Sequence, residues 1–162
     1  MEKSKSIVVI KLVISIVICQ LAGLIGSFFT VPSIPTWYPT LKKPPFTPPN
    51  WLFAPVWTTL FLLMGISAFL VWHKGINDRQ VRISLSIFGA QLILNILWSV
   101  MFFGLKSPLA GFIDISILWL AILFTILNFF KISKTAGILL IPYILWVSLA
   151  AALNISIVIL NP

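Results

Sequence analysis

Gln91, Asn95, Trp98 and Phe102 sit at offsets of four, seven and eleven residues, which sets two carboxamides and two aromatic rings along one stripe of a helix. An amide facing hydrocarbon costs several kcal/mol, so this stripe must turn toward protein if the helix lies in a membrane. Two uses fit it equally. The amides either hydrogen-bond neighbouring helices, or they are the few polar groups of a largely apolar pocket. Pro142, Trp146, Ala150 and Asn154 repeat the pattern at steps of four. Pro142 interrupts the helical ladder, so a bend is expected in the turn before it, opening space beside Trp146 and Ala150 or simply kinking the packing.

Asp114 is the one acidic residue inside an apolar run, about six residues or ~9 Å below Pro108 along a helix. A carboxylate at such depth is a functional candidate, and a structural hydrogen bond to an adjacent helix is the equal alternative. Lys42, Lys43 and Lys106 are the nearest charged candidates to partner it. The sequence contains no Gly-rich phosphate loop, HExxH, CxxC or Ser-His-Asp set, and its single histidine lies at the end of an apolar run. Metal-based or hydrolytic catalysis has no visible apparatus, and no metal ligands are assigned.

The elements that carry these residues follow from composition. Of 162 residues 60% are hydrophobic and 9% charged, with a mean hydropathy of +1.11, which is more apolar surface than a water-soluble domain of this size can bury. Five apolar runs span about 7–29, 51–72, 83–105, 109–130 and 136–160, each long enough to cross a bilayer. They lack barrel alternation, so the predicted fold is all-α, an integral membrane bundle of five transmembrane helices forming a single domain. Short connectors make the spans from the second onward antiparallel sequence neighbours. The first run begins after Lys3 and Lys5 but is too long for a cleaved signal segment. Cys19 lies within it and can form no internal disulfide, since it is the only cysteine.

Eleven basic residues stand against three acidic ones. They fall singly or in pairs at the ends of the runs, which is a topology signal and not a nucleic-acid surface. Lys3, Lys5, Lys11, Lys74, Arg79, Arg82, Lys131 and Lys134 share the N-terminal face, and Lys42, Lys43 and Lys106 the other. The N-terminus is therefore expected in the cytoplasm, with the connector of about 30–50 outside. That connector carries five prolines between Pro39 and Pro49 and the aromatics Trp37, Tyr38 and Phe46, so it is a stiff, irregular strap suited to covering a pocket mouth or resting on the membrane. Ala22, Gly23, Gly26 and Ser27, and Ser86 with Ala90, permit close helix approach, within the chain or at a dimer seam.

The blocks WYPTLKKPPFTPPNW, PVWTTLF, QLILNILWSVMFFG, Asp114 and IPYILWVSLAAALN, in that order from about Gly26 to Asn154, closely resemble the TspO/MBR family. The resemblance implies a five-helix bundle, usually a homodimer, whose first connector closes over a ligand cavity. It implies binding of a porphyrin such as protoporphyrin IX, of haem, or of another planar hydrophobic molecule such as an isoquinoline or benzodiazepine drug, with no obligatory cofactor. By the same matching Gln91, Asn95, Trp98, Trp146 and Ala150 would line the cavity, Trp37 and Tyr38 would stand in the lid, and Asp114 would belong to the ligand site. Trp57 and Trp146 match tryptophans credited with light- and oxygen-dependent porphyrin degradation. A membrane receptor or sensor is the expected function, with a porphyrin-degrading enzyme and a porphyrin transporter as alternatives. Lys42 or Lys43 could meet propionates at the mouth. The chain ends ISIVILNP, with no basic residue after Tyr143 to complete a sterol motif, which favours a bacterial cell membrane as its setting.

Overall fold

In the computed structural model, which describes residues 2–162 with side chains from Lys5 onward, the chain is helical throughout its apolar runs. The side chain of Lys3, counted above in the charge balance, lies outside the described part. Helix α1 covers Glu2–Ser33, α2 Asn50–His73, α3 Arg79–Ser99, α4 Pro108–Ile132, α5 Lys134–Leu139 and α6 Ile141–Leu160. Five spans long and apolar enough to cross a membrane result, α5 and α6 forming the last of them. The protein is an integral membrane protein.

Local chemistry sets the ends. Asp78 caps α3 by accepting from the Gln80 backbone N–H at 2.8 Å, and Ser107 and Ser133 cap α4 and α5, each accepting at 3.3 Å from an N–H three residues on. Lys106, at φ 52°, turns the chain sharply between α3 and α4. The bend expected before Pro142 is a full break, since Leu140, at φ −90° and ψ −7°, ends α5 and α6 starts one residue later with proline in its first turn. Helix α1 outlasts its apolar run and ends at Ser33, with Pro32 inside its last turn. The strap thus shortens to 34–49.

Around the bundle α1 packs on α2 and α3, α3 on α4, α4 on α6, and α2 on α5. The short turn between α2 and α3 does not make them intimate neighbours, because α1 packs more closely on each of them. Gly65 lets α1 and α2 touch, as a Cβ there would lie 2.6 Å from the Ile16 Cα. Gly23 meets the Phe61 ring and Gly26 meets Ser99, so these small residues of α1 pack within the chain. Ser86 and Ala90 are exposed on α3. Large apolar side chains such as Ile18, Leu21, Leu24 and Phe28 cover the outside of α1, a face that lipid rather than water must solvate.

Candidate ligand-binding cavity

The stripe on α3 meets α6 through hydrogen bonds. The Tyr143 hydroxyl donates to Gln91 Oε1 at 2.8 Å, and Asn95 Nδ2 donates to the Tyr143 oxygen at 2.9 Å. At the far end Gln91 Nε2 points to the Met64 sulfur on α2, 3.9 Å away. One turn toward the end of the bundle that carries the strap, called outer for that reason alone, Trp98 Nε1 donates to Asn154 Oδ1 at 3.1 Å, and Asn154 Nδ2 donates to the Pro108 carbonyl at 2.6 Å. Asn154 thereby accepts from α3 and satisfies a carbonyl at the start of α4. Tyr143 was not among the candidates, although its offset of eleven from Asn154 equals that of Gln91 from Phe102 and marks it as a member of the α6 stripe.

A hollow of about 300 Å³ opens beside this network, between α1, α2 and the outer half of α3. Trp57, Phe61, Asn95, Trp98 and Phe103 line its protein side, while Ala22, Gly23, Gly26 and Ser27 supply the wall on α1. Leu24, Ala54 and Thr58 are exposed and also border it, so the hollow opens sideways between α1 and α2. Trp57 and Trp98 lie with ring centroids 6.3 Å apart and planes at 32°, and Phe61 stacks on Trp57 at 5.7 Å. The lining includes no His, Cys, Asp, Glu, Lys or Arg side chain. It offers a ligand ring faces together with amide, indole and hydroxyl groups.

The other candidates fall around this hollow. Gln91 is buried in the hydrogen-bond network behind Asn95. Trp146 packs edge-on against Phe53 at 6.0 Å, outside the lining, and its buried Nε1 has no hydrogen-bond partner. Ala150 borders a separate void of about 20 Å³ together with Tyr38, Phe53, Trp98 and Phe102. Phe53, one turn before Trp57 on α2, borders both spaces and escaped the sequence reading; its four-residue offset from Trp57 was the available signal. Asp114 is buried with Oδ2 unpaired and lines neither space.

The strap sits on the outer end of α3. After Ser99 the helix widens into a π turn, Val100–Gly104, closed by the Leu105 N–H on the Val100 carbonyl at 2.7 Å, which re-aims Phe102 and Phe103. Trp37 meets Phe102 edge-on at 5.5 Å, and Tyr38 meets Phe103 at 5.9 Å. Burial pushes the Tyr38 phenol above its ordinary pKa. Lys43 Nζ lies 4.5 Å over the Tyr38 ring and donates to the Tyr38 carbonyl at 2.8 Å. The Lys42 backbone N–H donates to Asn161 Oδ1, and Asn161 Nδ2 donates to the Lys42 carbonyl, both at 2.9 Å. These contacts tie the strap to α3 and to the end of α6. Neither lysine lines the hollow, and Ile34 is the strap residue that does.

The sequence has relatives. A protein named tryptophan-rich protein TspO from Archaeoglobus fulgidus is 48% identical over 154 residues, covering 94% of this chain and 98% of its own. A protein of the same name from Chlorobaculum tepidum is 45% identical, covering 95% and 98%. The translocator protein of Homo sapiens is 33% identical over 137 residues, covering 83% and 80%. With the TspO/MBR family model matching residues 15–160 as well, the chain belongs to the TspO/MBR family.

Proposed function

We propose that the outer hollow binds a flat, largely apolar molecule of the tetrapyrrole class, protoporphyrin IX or haem, and that the protein acts as a membrane receptor or sensor for it. The observation that carries this reading is the Trp57–Trp98 pair, two indoles within 32° of parallel on one side of a 300 Å³ space. Stacking on such faces is sequence-economical and needs no charge. A macrocycle exceeds the hollow, so it would sit edge-in through the opening between α1 and α2, with its polar edge outward. The isoquinoline and benzodiazepine ligands expected from the resemblance fit the space with less overhang. Asn95 supplies an amide contact in the lining, Gln91 holds it through Tyr143, and Trp37 and Tyr38 back Phe102 and Phe103 at the strap end.

Titration with protoporphyrin IX, followed by tryptophan quenching, tests this. Trp57→Phe and Trp98→Phe should each weaken binding about tenfold, the worth of one lost indole contact, and Trp146→Phe should leave it nearly unchanged. If all three variants bind as the parent does, the ligand lies elsewhere. Trp57 borders the hollow and lies 6.4 Å from Tyr143, so oxidisable rings stand where a photosensitiser would bind. The degradation reading is tested by illumination: bleaching of bound protoporphyrin no faster with the parent than with Trp57→Phe rules it out. Trp146, away from the lining, would take part only at one remove.

We infer a cytoplasmic N-terminus from the distribution of lysine and arginine and a bacterial cell membrane from the incomplete sterol motif, and reporter fusions at each end would test the orientation. For the homodimer the exposed Ser86 and Ala90 of α3 offer one small-residue face. Cross-linking through Ala90→Cys should trap a pair if that face is the seam.

A further inference from the structure

Resting on the reading that the hollow binds a ligand, we propose that Gln91 and Tyr143 are positioning residues that fix the polarity of Asn95, so that the cavity presents an acceptor there and, among planar molecules small enough to enter it whole, favours one bearing an N–H donor over its isostere without one. The relay begins at the buried end. The Met64 sulfur is an acceptor with no proton to give, and Met64 is fully buried, so the end of Gln91 that faces it is the amino end. Gln91 Oε1 is then turned to Tyr143 and accepts its hydroxyl proton at 2.8 Å. Having spent its only proton, Tyr143 can only accept from Asn95, and Asn95 Nδ2 supplies that bond at 2.9 Å. Asn95 lines the hollow, and the end of its amide that remains is the carbonyl.

The reverse chain fails at one place. For Tyr143 to donate to Asn95, Gln91 would have to turn its amino group to Tyr143 and its carbonyl to the sulfur, two acceptors facing each other in a buried site. A thioether at one end therefore sets which pole of an amide a ligand meets at the other. Several neighbouring donors are already engaged. The hydroxyls of Ser27, Thr30 and Thr58 donate to carbonyls of their own helices, and Gln20 Nε2 donates to the Thr58 carbonyl. Trp98 Nε1 is held by Asn154. Trp57 and Ser99 also line the hollow and bring their own N–H and O–H, so the test must compare ligands that differ at one atom and must perturb the relay itself.

Carbazole and dibenzofuran are such a pair, tricycles of one shape in which an N–H is replaced by an ether oxygen. With the full chain in lipid nanodiscs, equilibrium dialysis should find carbazole bound about tenfold more tightly, the usual cost of leaving a buried acceptor unpaired. In Gln91→Leu the Tyr143 hydroxyl loses its acceptor and turns to Asn95 Oδ1, the amide flips, and the preference should vanish or reverse. Tyr143→Phe frees the amide to turn either way and should bring the ratio toward one. A helical, folded Tyr143→Phe or Gln91→Leu protein that keeps the parent ratio overturns the relay, as does equal binding of the two tricycles by the parent. Those results leave the cavity standing. Absence of binding for both tricycles in the parent removes the cavity reading and this inference with it.

Discussion

The inner and outer halves of the bundle are made from the same five spans but solve their packing differently. The inner half is filled. Met64, Val71, Ile122 and Phe129 are buried completely, Phe88 stacks on Phe129 at 5.7 Å, and polar side chains bridge helices, Ser67 to the Ala136 carbonyl and Gln80 to Asn128, while the buried Ser84 hydroxyl stays unpaired. In the outer half glycines on α1, indoles and a π turn border about 300 Å³ of unfilled space. The lesson is that lipid solvates the outside of both halves alike, so what separates them is whether facing side chains can interdigitate. Aliphatic and phenyl groups do so in one. Rigid rings facing small residues do not in the other, and the polar atoms at that level are held by a network instead of by close packing.

The contrast can be broken from either side. Phe129→Ala should produce the largest effect, a loss of about 3–5 kcal/mol, because the surrounding core is full and a new cavity there would stay empty. Unfolding in mixed micelles would measure it, and a loss below that of Phe61→Ala would contradict the division. Asn154→Leu should cost about 2 kcal/mol, since it strips partners from both Trp98 Nε1 and the Pro108 carbonyl; a matching rise in indole exchange at Trp98 would identify the cause. Phe61→Ala, on the border of an existing hollow, should cost only about 1–2 kcal/mol while enlarging the binding space, which a bulkier ligand would report.

The smallest effect concerns the strap. Burial raises the Tyr38 phenol pKa, so the folded state holds that proton more tightly than the unfolded chain. Its contribution is complete below the ordinary phenol pKa of about 10 and is lost as pH rises through the higher folded value. Relative to the base-catalysed intrinsic rate, exchange protection at residues 38, 40 and 41 should therefore fall above about pH 10 and stay constant below it, and Tyr38→Phe should abolish the step.

Much of this was legible beforehand. Run length and charge placement gave five helices, the prolines gave the strap, and the eleven-residue stripe on α3 correctly turned Gln91, Asn95 and Trp98 inward. The third wall was not legible. Gly23, Gly26 and Ser27 were read as a packing face, and they are one, yet Gly23, against the Phe61 ring, and Gly26, against Ser99, also border the hollow. Trp146 and Ala150 were expected in the same lining as Asn95, but the break at Leu140 and the wedge of Phe53 set them apart. A helical period assigns residues to a face without saying which neighbour that face meets.

By itself the sequence determined the solvent and the elements, because hydropathy, proline and charge act over a few turns of one chain: a membrane protein of five spans, a rigid connector, and amides that must avoid lipid. Only the tertiary structure decided that α1 approaches both α2 and α3 more closely than those two approach each other, that a hollow remains where small residues oppose rings, and that a methionine on α2 orients an asparagine on α3. Those outcomes depend on which side chains from distant segments touch. Packing and hydrogen-bond polarity are properties of such pairs, and no single segment encodes them.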